Sequence, residues 1–138
     1  FLVIKFAGIN NQLNINVTQF LNINLIWNEG IAFGLFSFDQ NIYYNLLTIF
    51  IFLIILVIIY LMFKSHGWEK FGYLLIVGGS LGNIFDRVYY SAVPDFIDIY
   101  FNNFHWFIFN VADIFISLGV ILLICLEIFK NKKNENSL

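Results

Sequence analysis

Four carboxylates crowd into one stretch of an otherwise apolar chain. Between Gly78 and Asp113 lie Asp86, Asp95, Asp98 and Asp113, four of the five aspartates, together with Arg87, the only arginine. A charge beside lipid costs several kcal/mol unless it is paired or faces water, so carboxylates in an apolar setting are candidates for function. Two of them brought close can hydrolyse an amide with no metal and no covalent intermediate. The ionised one takes a proton from water, the water attacks the carbonyl, and the protonated one supports the oxyanion and then protonates the leaving amine. Such a pair titrates as a unit and is expected to hold close to one proton at neutral pH.

Spacing sorts the four. Asp86 sits beside Arg87, which suits a structural ion pair or an anchor for the following loop. Asp113 lies in an apolar helix with no cation near it in sequence. Its partner carboxylate comes from Asp95 or Asp98. Asp95 follows Pro94, which restrains the backbone, and precedes Phe96 and Ile97; Asp98 is open to a reading as a solvated loop residue. Residues three and four apart share a helix face, so Gly79, Asn83 and Asp86 line one stripe, with Arg87 one turn beyond Asn83. Asn110, Asp113 and Ser117 line a second. Gly78 and Gly82 form a small-xxx-small pair, flanked by Gly79, that suits close helix packing.

Other chemistries lack their parts. Zinc needs clustered ligands, yet the two histidines, His66 and His105, fall on separate connecting segments, so no metal or other cofactor is expected. Ser80 and Ser117 have no Lys or His at matching depth to act as base. No glycine-rich phosphate loop ends in Lys-Ser or Lys-Thr.

The elements that must position the carboxylates are membrane helices. With 60% hydrophobic and only 12% charged residues, and a mean hydropathy of +0.81, the chain lies far from the roughly 25% charged residues of soluble proteins. The net charge of -2, with scattered lysines, argues against nucleic acid as a partner. Lone Cys125 sits in an apolar run and can form no internal disulfide. Apolar runs predict transmembrane helices over 43–63, 71–88 and 110–129, each about long enough for a hydrocarbon core at ~1.5 Å per residue. Phe1 to Lys5 reads as the remnant of a spanning first helix whose beginning is missing. From Gly8 to Asn41, period-2 alternation such as Leu13-Asn14-Ile15-Asn16-Val17 predicts a small extramembrane β-sheet. Asn28-Glu29-Gly30 marks a turn, and 31–36 is an apolar segment too short to span, expected at the interface.

Three alternating spans put Lys64, Lys70, Lys130, Lys132 and Lys133 at one face, which is then cytoplasmic, with 130–138 as a polar tail. The Asn-rich sheet, Asp86-Arg87 and the segment from Tyr89 to Ile108 fall on the outer face. The expected whole is a single α-helical membrane domain over 1–138.

Four ordered motifs resemble one family. Asn28-Glu29-Gly30-Ile31-Ala32-Phe33 is similar to the Asn-x-Gly-x-Ala-Phe motif of signal peptidase II, the lipoprotein signal peptidases (aspartyl peptidase family A8), and Gly78 through Arg87 resembles its Gly-Gly-x-x-Gly-Asn-x-x-Asp-Arg motif. Val93-Pro94-Asp95-Phe96 and Phe109-Asn110-Val111-Ala112-Asp113 resemble the segments carrying the family's two catalytic aspartates. Ser80 stands where a small apolar residue is common. The resemblance implies four transmembrane helices, a β-cradle within 8–41 and a periplasmic loop. It implies catalysis by Asp95 and Asp113, with Asn28, Gly30, Asn83, Asp86, Arg87 and Asn110 shaping the site or holding substrate. The substrate would be a diacylglyceryl-modified prolipoprotein in the bacterial inner membrane, cut before its lipidated cysteine by a monomer in contact with membrane lipid. The competing class is a non-enzymatic carrier or proton-relay subunit that uses the intramembrane aspartates. That reading expects polar groups along the full depth of a helix, whereas Tyr43 to Phe63 is clean.

Overall fold

A computed structural model describes residues 2–8, 14–30, 41–101 and 104–135. Along the chain run α1 (Leu2–Ala7), β1 (Asn14–Thr18), β2 (Leu21–Asn28), α2 (Asn41–Lys64), α3 (Gly67–Tyr90), β3 (Val93–Phe101), β4 (Phe104–Phe109) and α4 (Val111–Glu135). They divide into two compact units, one of residues 1–48 and 85–111, the other of 49–84 and 112–138. The expected interfacial segment 31–36 lies outside the described residues.

The first unit is built on a four-stranded antiparallel sheet in the order β1-β2-β3-β4. Alternation predicted its first half. The second half was expected as a loop, but β3 and β4 pair antiparallel with each other and β3 pairs with β2, Trp27 opposite Pro94 and Asn28 opposite Val93. Ile97, Ile99, Tyr100, Phe104, Trp106 and Phe107 are strand-favouring types, and Pro94 is tolerated near the start of its strand. Ser91, with φ of 58°, turns the chain out of α3 into β3.

In the second unit, α2 and α4 supply the apolar stretches Tyr44–Lys64 and Val111–Lys130, the two among the described residues long and apolar enough to cross a membrane. Ile49, Phe50, Leu53 and Val57 on α2, and Leu118, Ile121 and Ile128 on α4, are exposed. Apolar surface of that extent suits lipid rather than water. Helix α3 is as long but more polar. The expected loop from Lys64 to Lys70 shrinks to Ser65 and His66, because Gly67 takes a left-handed φ of 57° and α3 starts there. Helix α4 runs on through Lys130 and Lys132 to Glu135, where a polar tail was expected.

Glycines set the spacing of α3 and α4, though not all of those the sequence suggested. A Cβ on Gly79 would strike the Ala112 carbonyl oxygen and lie 2.8 Å from Ile116 Cγ1, and one on Gly119 would lie 2.6 Å from the Gly72 carbonyl oxygen. Gly82 makes only ordinary contact with Ala112, and Gly78 faces open space. The close approach therefore runs through Gly72, Gly79 and Gly119.

Candidate active site

Asp95 sits on β3 and is 4% exposed. Register explains its neighbours: Asn28 lies opposite Val93, so it shares a sheet face with Asp95 and is its diagonal neighbour across the strands. The Asn28 amide Nδ2 donates to Asp95 Oδ2 at 2.9 Å. Its Oδ1 accepts from the Gly30 backbone N–H at 2.9 Å, which fixes the amide with its donor towards the carboxylate. From the other side Asn110 Nδ2 donates to Asp95 Oδ1 at 2.7 Å. Asn110 is itself 5% exposed and immediately precedes α4, a position that favours Asn.

Arg87 braces this arrangement. Buried at the end of α3, it donates from Nη2 to the Gly30 carbonyl oxygen, and its guanidinium lies 5.5 Å from the Tyr44 ring centre. The Tyr44 hydroxyl donates back to the Arg87 carbonyl oxygen at 3.4 Å. Arg87 thus anchors the turn after β2 rather than pairing with Asp86; among the described residues no hydrogen bond or ion pair ties Asp86 to another candidate residue.

Asp113 belongs to the second unit, in the first turn of α4, where the helix dipole favours a carboxylate. Asn83 on α3 donates to Asp113 Oδ1 at 2.9 Å. The predicted stripe on α3 holds for Gly79 and Asn83, both of which meet α4. The second stripe holds less well, since Ser117 is exposed and Asn110 lies outside the helix.

Asp98 departs from the reading as a solvated residue. It is 0% exposed, and His105 Nδ1 lies 2.9 and 2.8 Å from its two carboxylate oxygens. Tyr100 stacks on the His105 ring at 5.3 Å and donates its hydroxyl to the Thr18 carbonyl oxygen at 3.0 Å. A weak signal for this pair was present in the two strand-favouring runs 96–101 and 104–109, which lie close together in sequence. Among the described residues no group of three His, Cys, Asp or Glu side chains is arranged to hold a metal.

The chain matches the family Peptidase_A8, described as Signal peptidase (SPase) II, over residues 2–129. It belongs to the signal peptidase II family. A relative from Pelagibacter ubique (strain HTCC1062), named lipoprotein signal peptidase, is 52% identical over 97% of this chain and 81% of its own length. Another of that name from Francisella tularensis subsp. novicida (strain U112) is 41% identical, over 88% of this chain and 78% of its own. A solved structure described as a bacterial membrane enzyme is similar with a TM-score of 0.70 and 27% identity, covering 96% of this chain and 86% of that one. The signal peptidase II family makes the chain an aspartic-type peptidase and, with its two apolar helices, an integral membrane protein. Membership also sets aside the carrier reading of its aspartates.

Proposed function

We propose that this chain removes the signal peptide from diacylglyceryl-modified prolipoproteins, cutting before the lipidated cysteine, with Asp95 and Asp113 as its catalytic carboxylates. The observation that carries the assignment is that side-chain amides hold both: Asn28 and Asn110 donate to Asp95, and Asn83 donates to Asp113. An amide donor is neutral and cannot take up the proton being moved, so it aims a carboxylate without competing as a base. One carboxylate deprotonates the attacking water; the other, protonated, donates to the developing oxyanion and then to the leaving nitrogen.

Chain continuity supports the pairing, since Asn110 holds Asp95 and Asp113 follows three residues later. Gly30 and Arg87 support Asn28, and Asp86 is assigned to shaping the site or holding substrate. The protein acts as a monomer within a single peptidase domain in the bacterial inner membrane. Lys64, Lys70 and Lys130 lie at the helix ends away from the aspartates in sequence, which supports a periplasmic position for the site.

The test is cleavage of a lipidated precursor by the purified protein in detergent. Asp95→Asn and Asp113→Asn are each expected to abolish turnover while leaving the helical circular dichroism spectrum unchanged. Near-wild-type turnover by either variant overturns the pairing.

A further inference from the structure

At the far ends of α3 and α4, away from the aspartates, the second unit contains a cavity of about 580 Å³. That lies within the roughly 300–1,000 Å³ of small-molecule sites. Along α4, the step from Asp113 to Lys130 rises about 25 Å at ~1.5 Å per residue, so the cavity is separate from the candidate active site.

Its lining carries both signs of charge, Glu69 and Glu127 against Lys130, with His66, Trp68 and Tyr73 beside them. Among the described residues no ion pair joins Glu69, Glu127, Lys130 and His66, although they surround one space and Glu127 and Lys130 are one helical turn apart. Leu123 and Leu126 form an apolar part of the wall, which continues into the exposed Ile121, Ile124 and Ile128 of the same apolar helix.

We infer that this cavity binds the headgroup of a phosphatidylethanolamine, with its acyl chains along α4. An ammonium with three N–H donors suits two carboxylates that have not paired with the neighbouring Lys130, and a phosphate suits the Lys130 ammonium and a ring N–H of His66. Trp68 is 70% exposed and has an apolar body with one N–H donor, the form that settles at the headgroup level. A choline headgroup has the charge without the N–H donors, and a glycerol headgroup has no cation.

The test is native mass spectrometry of the whole chain in detergent, mixed with equimolar dioleoyl phosphatidylethanolamine, phosphatidylcholine and phosphatidylglycerol. Phosphatidylethanolamine is expected to be retained about tenfold over each of the others, the ratio that one charge-assisted contact supports. The Glu69→Gln/Glu127→Gln double variant is expected to lower its retention to the phosphatidylcholine level, with an unchanged circular dichroism spectrum. Equal retention of the three lipids by the wild type, a preference for phosphatidylglycerol, or an undiminished ethanolamine preference in the double variant overturns the inference. The wild-type comparison stands whether or not the variant folds.

Discussion

Two buried aspartates three residues apart on one strand meet partners of different chemical type. Asp95 and Asp98 are 4% and 0% exposed, yet an odd spacing on a strand sends them to opposite faces of the sheet. Asp95 meets the side-chain amides of Asn28 and Asn110, whereas Asp98 meets the ring of His105. Amides orient a carboxylate and leave its proton chemistry to other groups. An imidazole can itself hold the proton or the opposite charge, which suits a structural tie between β3 and β4. Burial is common to the two carboxylates, so the proposed roles, reactive for Asp95 and structural for Asp98, rest on the chemical type of the partners described for each.

The sharpest way to break this comparison is to neutralise each member in turn. Asp95→Asn is expected to lower turnover of a lipidated precursor about 10³-fold or more, the scale of a lost general acid or base. Asp98→Asn is expected to stay within about tenfold, because its effect passes through the β3–β4 pairing; equal losses in the two variants would erase the distinction. Next in size is the loss of an orienting amide. Asn28→Ala or Asn110→Ala should reduce kcat about 10–100-fold, as misplacing a reacting group does.

On stability the order reverses. His105→Ala leaves buried Asp98 without its half-exposed ring partner and is expected to cost about 1–3 kcal/mol in denaturant unfolding, the scale of a buried acceptor left without a donor. Asn28→Ala should cost less than that, and a larger loss there would make Asn28 a structural residue. The helix glycines should give effects that differ in sign. Gly79→Ala is expected to destabilise by about 1–3 kcal/mol through overpacking against α4. Gly78→Ala, which faces open space, should stabilise by up to about 1 kcal/mol through helix propensity, and thermal unfolding of the two variants checks the pair.

Much of this was legible in the sequence for local reasons. The spans around α2 and α4 follow from composition over some twenty residues, and the placing of Asn83 and Asp113 on two polar stripes that share a site follows from helix periodicity, though the hydrogen bond between them does not. The β3–β4 pairing was not legible in the same way, because Pro94 and two aspartates interrupt the expected strand pattern. Nor was the role of Arg87 read from its neighbour Asp86, since its donated hydrogen bond goes to Gly30, far back in the chain.

The sequence by itself determined that the chain is apolar and membrane-spanning, that its carboxylates cluster, and that Asn and Asp recur at helical spacing, because these depend on composition and on neighbours within a turn or two. Tertiary structure alone decided which aspartate faces which partner. Strand register turns Asp95 towards Asn28, and that register is fixed by pairing between segments nearly seventy residues apart, which no local pattern encodes, whereas Asp98 meets His105 through the pairing of neighbouring strands β3 and β4.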